Sequence, residues 1–405
     1  MRLLVPPADR AWIVTTDADS RVPPRWLAHR HRRRTSRTGP ALRVRSAARI
    51  RTVEEALRTT TAQPGACPDE ESRSGSAADP RHTRGGSMAE YGYFLSCEEH
   101  GPAALVEQAR MAEQAGFTSL WISDHFHPWN DAQGQSPFVW SVIGALSEAT
   151  SLPIETAVTC PIMRLHPAVT AQAAATAAVQ TQGRFRLGVG TGEALNEHVL
   201  GDPWPRAAVR LEMLEEAVQV MRQLFAGDEV SHHGKHYAVE NARLYTLPDE
   251  PVPIDVSGFG PAATELAGRV GDGFLTMEPD AEAVERFRRS GGGSKPAMGG
   301  LKVCWSSDRE EALRTAHRLW ATEQLPGELP QILPTPRHFE QAAELISPDR
   351  VAESVLCGDD VEAHLAAITA YTKAGFDTVC VHQIGHGPRG FFDFYRTKVL
   401  PQLPQ

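Results

Sequence analysis

From Met88 to the C-terminus, short runs rich in β-forming residues alternate with longer stretches of helical spacing. This alternation constrains the fold more than any other feature of the chain. Strands that follow one another through helices run parallel and are joined by right-handed crossovers. The pattern predicts strands at residues 91–96, 119–123, 154–158, 185–188, 254–256, 273–275, 301–305 and 378–381. Helices are expected at 102–114, 139–149, 167–182, 211–225, 262–270 and 281–289. A hairpin over 230–237, turning at Gly234, interrupts the series, and a helical stretch broken by prolines between Pro326 and Pro336 is expected over one barrel mouth. Eight strands within residues 88–405 suit a single (β/α)8 TIM barrel with insertions, the alternative being a doubly wound open sheet. There is no repeat of solenoid length.

Residues 1–87 are different in kind. They hold 17 Arg and no Lys against 9 acidic residues, whereas 88–405 carries 24 basic and 41 acidic residues. The Arg-rich stretch around Arg30-His31-Arg32-Arg33-Arg34 is followed by polar residues, so neither a secretory nor a twin-arginine signal is read, and no transmembrane span appears. A segment so poor in apolar periodicity cannot bury a core, and disorder is expected of it. An upstream stretch included by a wrong start codon accounts for it best. A transit peptide or a nucleic-acid arm are the other readings.

The six cysteines, at 67, 97, 160, 304, 357 and 380, form no C-x-x-C and have no histidine at ligand spacing, so neither a disulfide framework nor a metal site is predicted. Cysteine usage of this kind suits a reducing cytoplasm.

In such barrels the chemistry gathers at the C-terminal ends of the strands. Four turns there carry unusual residues. Ser123-Asp124-His125-Phe126-His127-Pro128-Trp129 follows the second strand, Val158-Thr159-Cys160-Pro161 the third, Gly190-Thr191-Gly192-Glu193-Ala194-Leu195-Asn196 the fourth, and Ser257-Gly258-Phe259-Gly260-Pro261 the fifth. Asp124-His125 joins a carboxylate to an imidazole, a pairing suited to proton transfer near neutral pH, although a capping role would explain the dipeptide as well. His127 is the alternative base. Gly188-x-Gly190-x-Gly192 misses the dinucleotide spacing by one residue. A tight turn bringing amides close to a flat ligand, with Glu193 projecting into the mouth, competes there with glycines that merely end a strand. Ser257 to Pro261 opens a helix, whose exposed amides would seat a phosphate, or else forms an ordinary βα turn.

The segments Ser123-Asp124-His125-Phe126-x-Pro128-Trp129 and Gly188-Val189-Gly190-Thr191-Gly192-Glu193-Ala194-Leu195-Asn196-Glu197 together resemble the F420-dependent glucose-6-phosphate dehydrogenase family of the luciferase-like superfamily. Met221-Arg222-Gln223-Leu224 and Ala267-Gly268-Arg269-Val270-Gly271-Asp272-Gly273-Phe274 extend the likeness over nearly all of 90–400. The resemblance implies a deazaflavin in the barrel mouth, its phosphate near Gly258, Phe259 and Gly260, and its ring over a bulge whose non-prolyl cis peptide would fall at Ala157-Val158. It implies that His125 takes a proton from the substrate hydroxyl while hydride passes to the deazaflavin C5. Asp124 would contact the cofactor, Glu193 would donate a proton near N1, Trp129 would pack beside the reacting centre and Asn196 would bind the ring edge. Ser257 and Gly192 complete the cofactor set. Cys160 stands where the family often has Thr. A homodimer is expected from the family.

One departure bears on the substrate. The two Lys and the Arg with which the family's sugar-phosphate enzymes hold a phosphate have no counterpart, residues such as Glu285, Gln341 and Ser354 lying in their place, with Arg286 and Lys295 nearby. Glucose 6-phosphate is therefore not the expected substrate. The leading expectation is an F420-dependent oxidoreductase acting on a small alcohol, carbonyl or activated alkene. The alternatives are a reduced-flavin (FMN) monooxygenase of the same fold and a non-enzymatic cofactor carrier. A nucleic-acid or membrane partner is not expected.

Overall fold

The computed structural model describes residues 89–385 and 387–404. The segment 1–87, for which disorder is expected, lies outside the described residues. The chain runs β1 (Glu90–Leu95), α1 (Pro102–Ala115), β2 (Ser119–Ile122), α2 (Val139–Leu146), β3 (Ile154–Thr156), α3 (Pro167–Gln180), β4 (Phe185–Val189), α4 (Ala194–Glu197) and α5 (Ala207–Phe225). It continues through a hairpin, β5 (Val230–His233) and β6 (Ala238–Ala242), to β7 (Ile254–Ser257), α6 (Pro261–Val270), β8 (Gly273–Thr276), α7 (Ala281–Phe287) and β9 (Ala297–Cys304). After these come α8 (Arg309–Trp320), α9 (Leu329–Ile332), α10 (Pro336–Ala343), α11 (Pro348–Ala352), the two-residue β10 (Leu356–Cys357), α12 (Val361–Ala374), β11 (Thr378–Gln383) and α13 (Pro388–Phe394).

Eight strands pair in parallel in the order β9-β11-β1-β2-β3-β4-β7-β8, and pairing of β8 with β9, from Phe274↔Ala297 to Thr276↔Gly299, closes the ring. This is the eight-stranded barrel, and the open-sheet alternative is excluded by that closure. Two-residue periodicity divides the strands between two cores. Phe94, Trp121, Leu275, Met298 and Cys380 fill the barrel, while their neighbours Tyr93, Leu95, Leu120, Ile122 and Val379 pack outward with the helices. The helix layer comes close because α3 presents mostly alanines, with Ala171, Ala174, Ala175, Ala177 and Ala178 buried. Pro102 starts α1 and Gly116, at φ +99°, ends it with its N–H bonded to Ala112 and Glu113 carbonyls.

Three expectations need correction. The hairpin extends to Ala242, because the expected span of 230–237 took in only the first strand and the turn. The seventh barrel strand begins at Ala297 and ends at Cys304, earlier than the expected 301–305: it runs through Gly299 and Gly300, where a Cβ at Gly299 would strike Tyr371 and one at Gly300 would strike Met277. Here glycine allows close packing inside a strand. The third strand ends at Thr156, where the cis peptide Ala157-Val158 takes over.

Candidate functional site

A cavity open to solvent occupies the C-terminal mouth of the barrel. Asp124, His125, Trp129, Ala157, Val158, Cys160, Gly192, Glu193, Asn196, Ser257 and Phe259 all line it, so four separate βα turns converge as the strand-end argument requires. His127 does not line it. Its Nδ1 lies 2.9 Å from the Leu195 carbonyl, which leaves His125 as the imidazole of the site.

The partner of His125 is a residue the motif does not contain. Glu98, one βα unit back in sequence and just past the end of β1, places Oε1 3.3 Å from His125 Nε2. Its Oε2 accepts from Ser123 Oγ at 2.6 Å and from Ser96 Oγ at 2.9 Å. Burial pushes the Glu98 carboxyl up, but the electrostatic attraction of the neighbouring His125, the Ser123 hydrogen bond and the attraction of His382 outweigh it, and the pKa lies below the usual carboxylate value. Asp124, the expected partner in the Asp124-His125 pairing, is engaged elsewhere. Its Oδ1 accepts from Arg164 Nη2 at 2.8 Å and its Oδ2 from Thr159 Oγ1 at 2.9 Å.

Asn196 fixes the imidazole. Its Oδ1 accepts from the Phe126 and His127 amides at 2.9 and 3.1 Å, which orients the side chain so that Nδ2 faces His125 Nδ1 at 3.0 Å. The Glu193 carboxylate accepts from the same Nδ2 at 3.3 Å. The His127 carbonyl lies 3.2 Å from His125 Nδ1. That nitrogen thus has a donor when it is bare and an acceptor when it is protonated. Trp129 stands against the ring at a centroid distance of 5.1 Å and against Phe339 of α10 at 5.1 Å. Asn196 thus holds the loop of His125 and at the same time lines the cavity.

Below this group, Glu197 is buried next to Arg164, whose amide and guanidinium it accepts at 2.7 and 3.5 Å. Burial and the nearby Glu193 and Asp124 charges raise its pKa to about 7, against the downward pull of Arg164. The Cys160 thiol is pushed up by burial and the Glu197 charge, so it stays neutral. The backbone closes over these groups because Gly192 takes φ +66° and a Cβ there would sit 2.5 Å from Cys160 Sγ. Gly190 is needed for the same reason, with Val158 2.8 Å from where its Cβ would lie.

Gly258, Phe259 and Gly260 line a second cavity beside the first, with Thr264, Thr276 and Arg286. It lies at the start of α6, whose N-cap Gly260 offers no side-chain cap and has open space above it. The first-turn amides are left for an anionic group. An apolar floor of Ala157, Val158 and Leu275, with those amides at one edge, fits a flat ring that carries a phosphate.

Several lining residues escaped the sequence: Glu98, Trp121, Lys302, Trp320 and Glu323. Glu98 and Lys302 stand at the ends of β1 and β9, within reach of the same strand-end rule. Trp320 and Glu323 come from the insertion after β9, and no spacing signals them.

Residues 79–378 match the family described as Luciferase-like monooxygenase. The chain is 35% identical over 326 residues to the F420-dependent glucose-6-phosphate dehydrogenase of Microbacterium testaceum, covering 77% of this chain and 97% of the relative. It is 36% identical over 327 residues to the protein of the same name from Nakamurella multipartita, covering 77% and 96%. Among solved structures, an F420-dependent secondary alcohol dehydrogenase in complex with an F420-acetone adduct matches with a TM-score of 0.73 and 32% identity, over 77% of this chain and 98% of that one. The chain belongs to the luciferase-like monooxygenase family and groups within it with the F420-dependent oxidoreductases.

Proposed function

We propose that this protein binds the deazaflavin F420 in the barrel mouth and interconverts a small organic alcohol and its carbonyl. The reading rests above all on the Glu98-His125-Asn196 arrangement, which prepares one imidazole to gain and lose a proton beside a flat, apolar floor. When bound, the deazaflavin supplies the hydride acceptor or donor at C5.

The first-turn amides of α6 with Gly258, Phe259 and Gly260 would hold its phosphate, and Ala157, Val158, Cys160 and Ser257 its ring. A substrate hydroxyl placed against the Nε2 edge of His125 gives its proton to that edge. Glu98 Oε1 then faces the imidazolium at Nε2 and the His127 carbonyl accepts from Nδ1, so the charged ring has an acceptor at each nitrogen. In the reverse direction the same proton returns to the carbonyl oxygen. Glu193, held near the floor by Asn196 Nδ2, serves as the proton donor to the ring, Trp129 bounds the substrate side, and Asp124 with Arg164 keeps the loop before His125 in place.

The test is turnover of secondary and primary alcohols by wild type and His125→Ala. Loss of a general base should lower kcat by about 10²–10⁴-fold while cofactor affinity stays near wild type. Equal turnover by the variant would overturn the assignment.

A further inference from the structure

Lys302 is, among the described residues lining the main cavity, the one lysine or arginine, against the carboxylates Glu98, Asp124, Glu193, Glu197 and Glu323. It projects from the inward face of β9, three strands round the barrel from the end of β2 that carries His125. A single cation at that point would be expected to recruit an anionic substrate group, but it is already engaged twice. Its ammonium pairs with Glu323 from the 3-10 turn Ala321–Gln324 and lies over the Trp320 ring, 4.4 Å from the centroid.

Trp320 cannot swing away to release it. Its indole N–H donates to the buried Glu99 at 2.7 Å, and its edge meets His382, which is stacked on Phe94 at 4.7 Å. Glu99 in turn accepts from the Gly385 amide at 2.7 Å. The ammonium is therefore held on a fixed aromatic shelf with its charge neutralised, and every other formal charge on the cavity wall is negative or belongs to a histidine.

We propose that Glu323 sets the charge selectivity of this site: by neutralising Lys302 it confines the enzyme to substrates that carry no anionic group where they reach β9. The proposal rests on the oxidoreductase reading and narrows its substrates to uncharged hydroxyl or carbonyl compounds. The Lys302-Glu323 pair remains able to donate to or accept from a neutral oxygen, but an anion would have to displace Glu323 from it. Selectivity built this way works by repulsion as much as by attraction.

The experiment is calorimetric titration of the full chain with glucose 6-phosphate, without cofactor, for wild type, Glu323→Gln, Glu323→Ala and the double variant Lys302→Met/Glu323→Gln. Freeing the ammonium should tighten phosphate-ester binding by about ten- to hundredfold in both single variants, the range of a charge-assisted hydrogen bond. The gain should vanish in the double variant. Phosphate seated at the start of α6 would bind all four proteins alike, and such uniform affinity overturns the proposal, as does tight binding by wild type. Cofactor binding plays no part in the readout, so failure of the F420 assignment and failure of the charge-selectivity assignment show up in different experiments.

Discussion

Glu98 Oε1 lies 3.3 Å from His125 Nε2, and two serine hydroxyls hold the other oxygen of the same carboxylate. This pairing sets a buried carboxylate against the Nε2 edge of the ring. Glu98→Gln keeps the shape and removes the charge, and should lower kcat about 10²-fold with cofactor affinity changed by less than about threefold. Steady-state kinetics and a cofactor titration on the same preparation check it. A fall in affinity with kcat unchanged would place Glu98 in binding instead.

Asn196 joins three functions in one side chain, accepting two loop amides and facing His125 and Glu193. Asn196→Ala leaves two amides without their acceptor and the imidazole without its stop. Stability should drop by about 1–3 kcal/mol and turnover by ten- to hundredfold, roughly what misplacement of a reacting group costs. Urea unfolding separates the two effects from each other.

Two buried carboxyls make stability depend on pH in the direction opposite to ordinary carboxylates. Burial, then the charge of Asp255, raises Glu155 well above its usual value, and burial raises Glu197 to about 7. Glu155 Oε1 has no donor facing it, and a proton on that oxygen can be donated to Asp255. A carboxyl whose pKa is higher when folded contributes stability fully present below the unfolded value near 4.5 and lost as pH rises through the folded value. Wild type should therefore lose stability between pH 4.5 and 8 relative to Glu155→Gln, which needs no proton. Denaturant midpoints of the two proteins at pH 5 and pH 8 test this. Glu98 and Glu99 act with the opposite sign. Burial raises both, but the histidine charges and hydrogen bonds they accept outweigh it and leave their values lowered, so their contribution is present above about pH 4.5 and lost in acid.

Gly258 is required by close approach. A Cβ there would lie 2.8 Å from the Thr264 amide nitrogen, so Gly258→Ala must push the start of α6 away from the cavity it lines. Overpacking of this kind costs about 1–3 kcal/mol. The variant should melt lower and bind the deazaflavin at least about tenfold more weakly, whereas Gly260→Ala, with open space around it, should not destabilise the fold. Thermal melts with and without cofactor distinguish the two.

The barrel was legible because strand and helix periodicities differ and alternate eight times. Within the site, every one of the four turns singled out from sequence reaches the mouth, since a strand end has nowhere else to put its next residues. What the strand pattern could not show is who pairs with whom. Asp124 and His125 are adjacent in the chain, yet the backbone turns them apart, Asp124 toward Arg164 and His125 toward Glu98. Asn196 stands on the cavity wall as the resemblance implies, but its hydrogen bonds to the Phe126 and His127 amides and its contact with His125, made across about 70 residues of chain, could not be read from the sequence. Trp320 and Glu323 belong to an insertion whose place over β9 depends on tertiary packing, including the indole bond to Glu99.

The most direct measurement is a fluorescence titration of the full-length protein with the deazaflavin F420 and, in parallel, with FMN. The account predicts saturable binding of F420 with affinity at least about tenfold above that for FMN, weakened by Gly258→Ala. Saturable binding of FMN with none of F420 would contradict it and place the protein among the flavin-dependent monooxygenases of the same barrel.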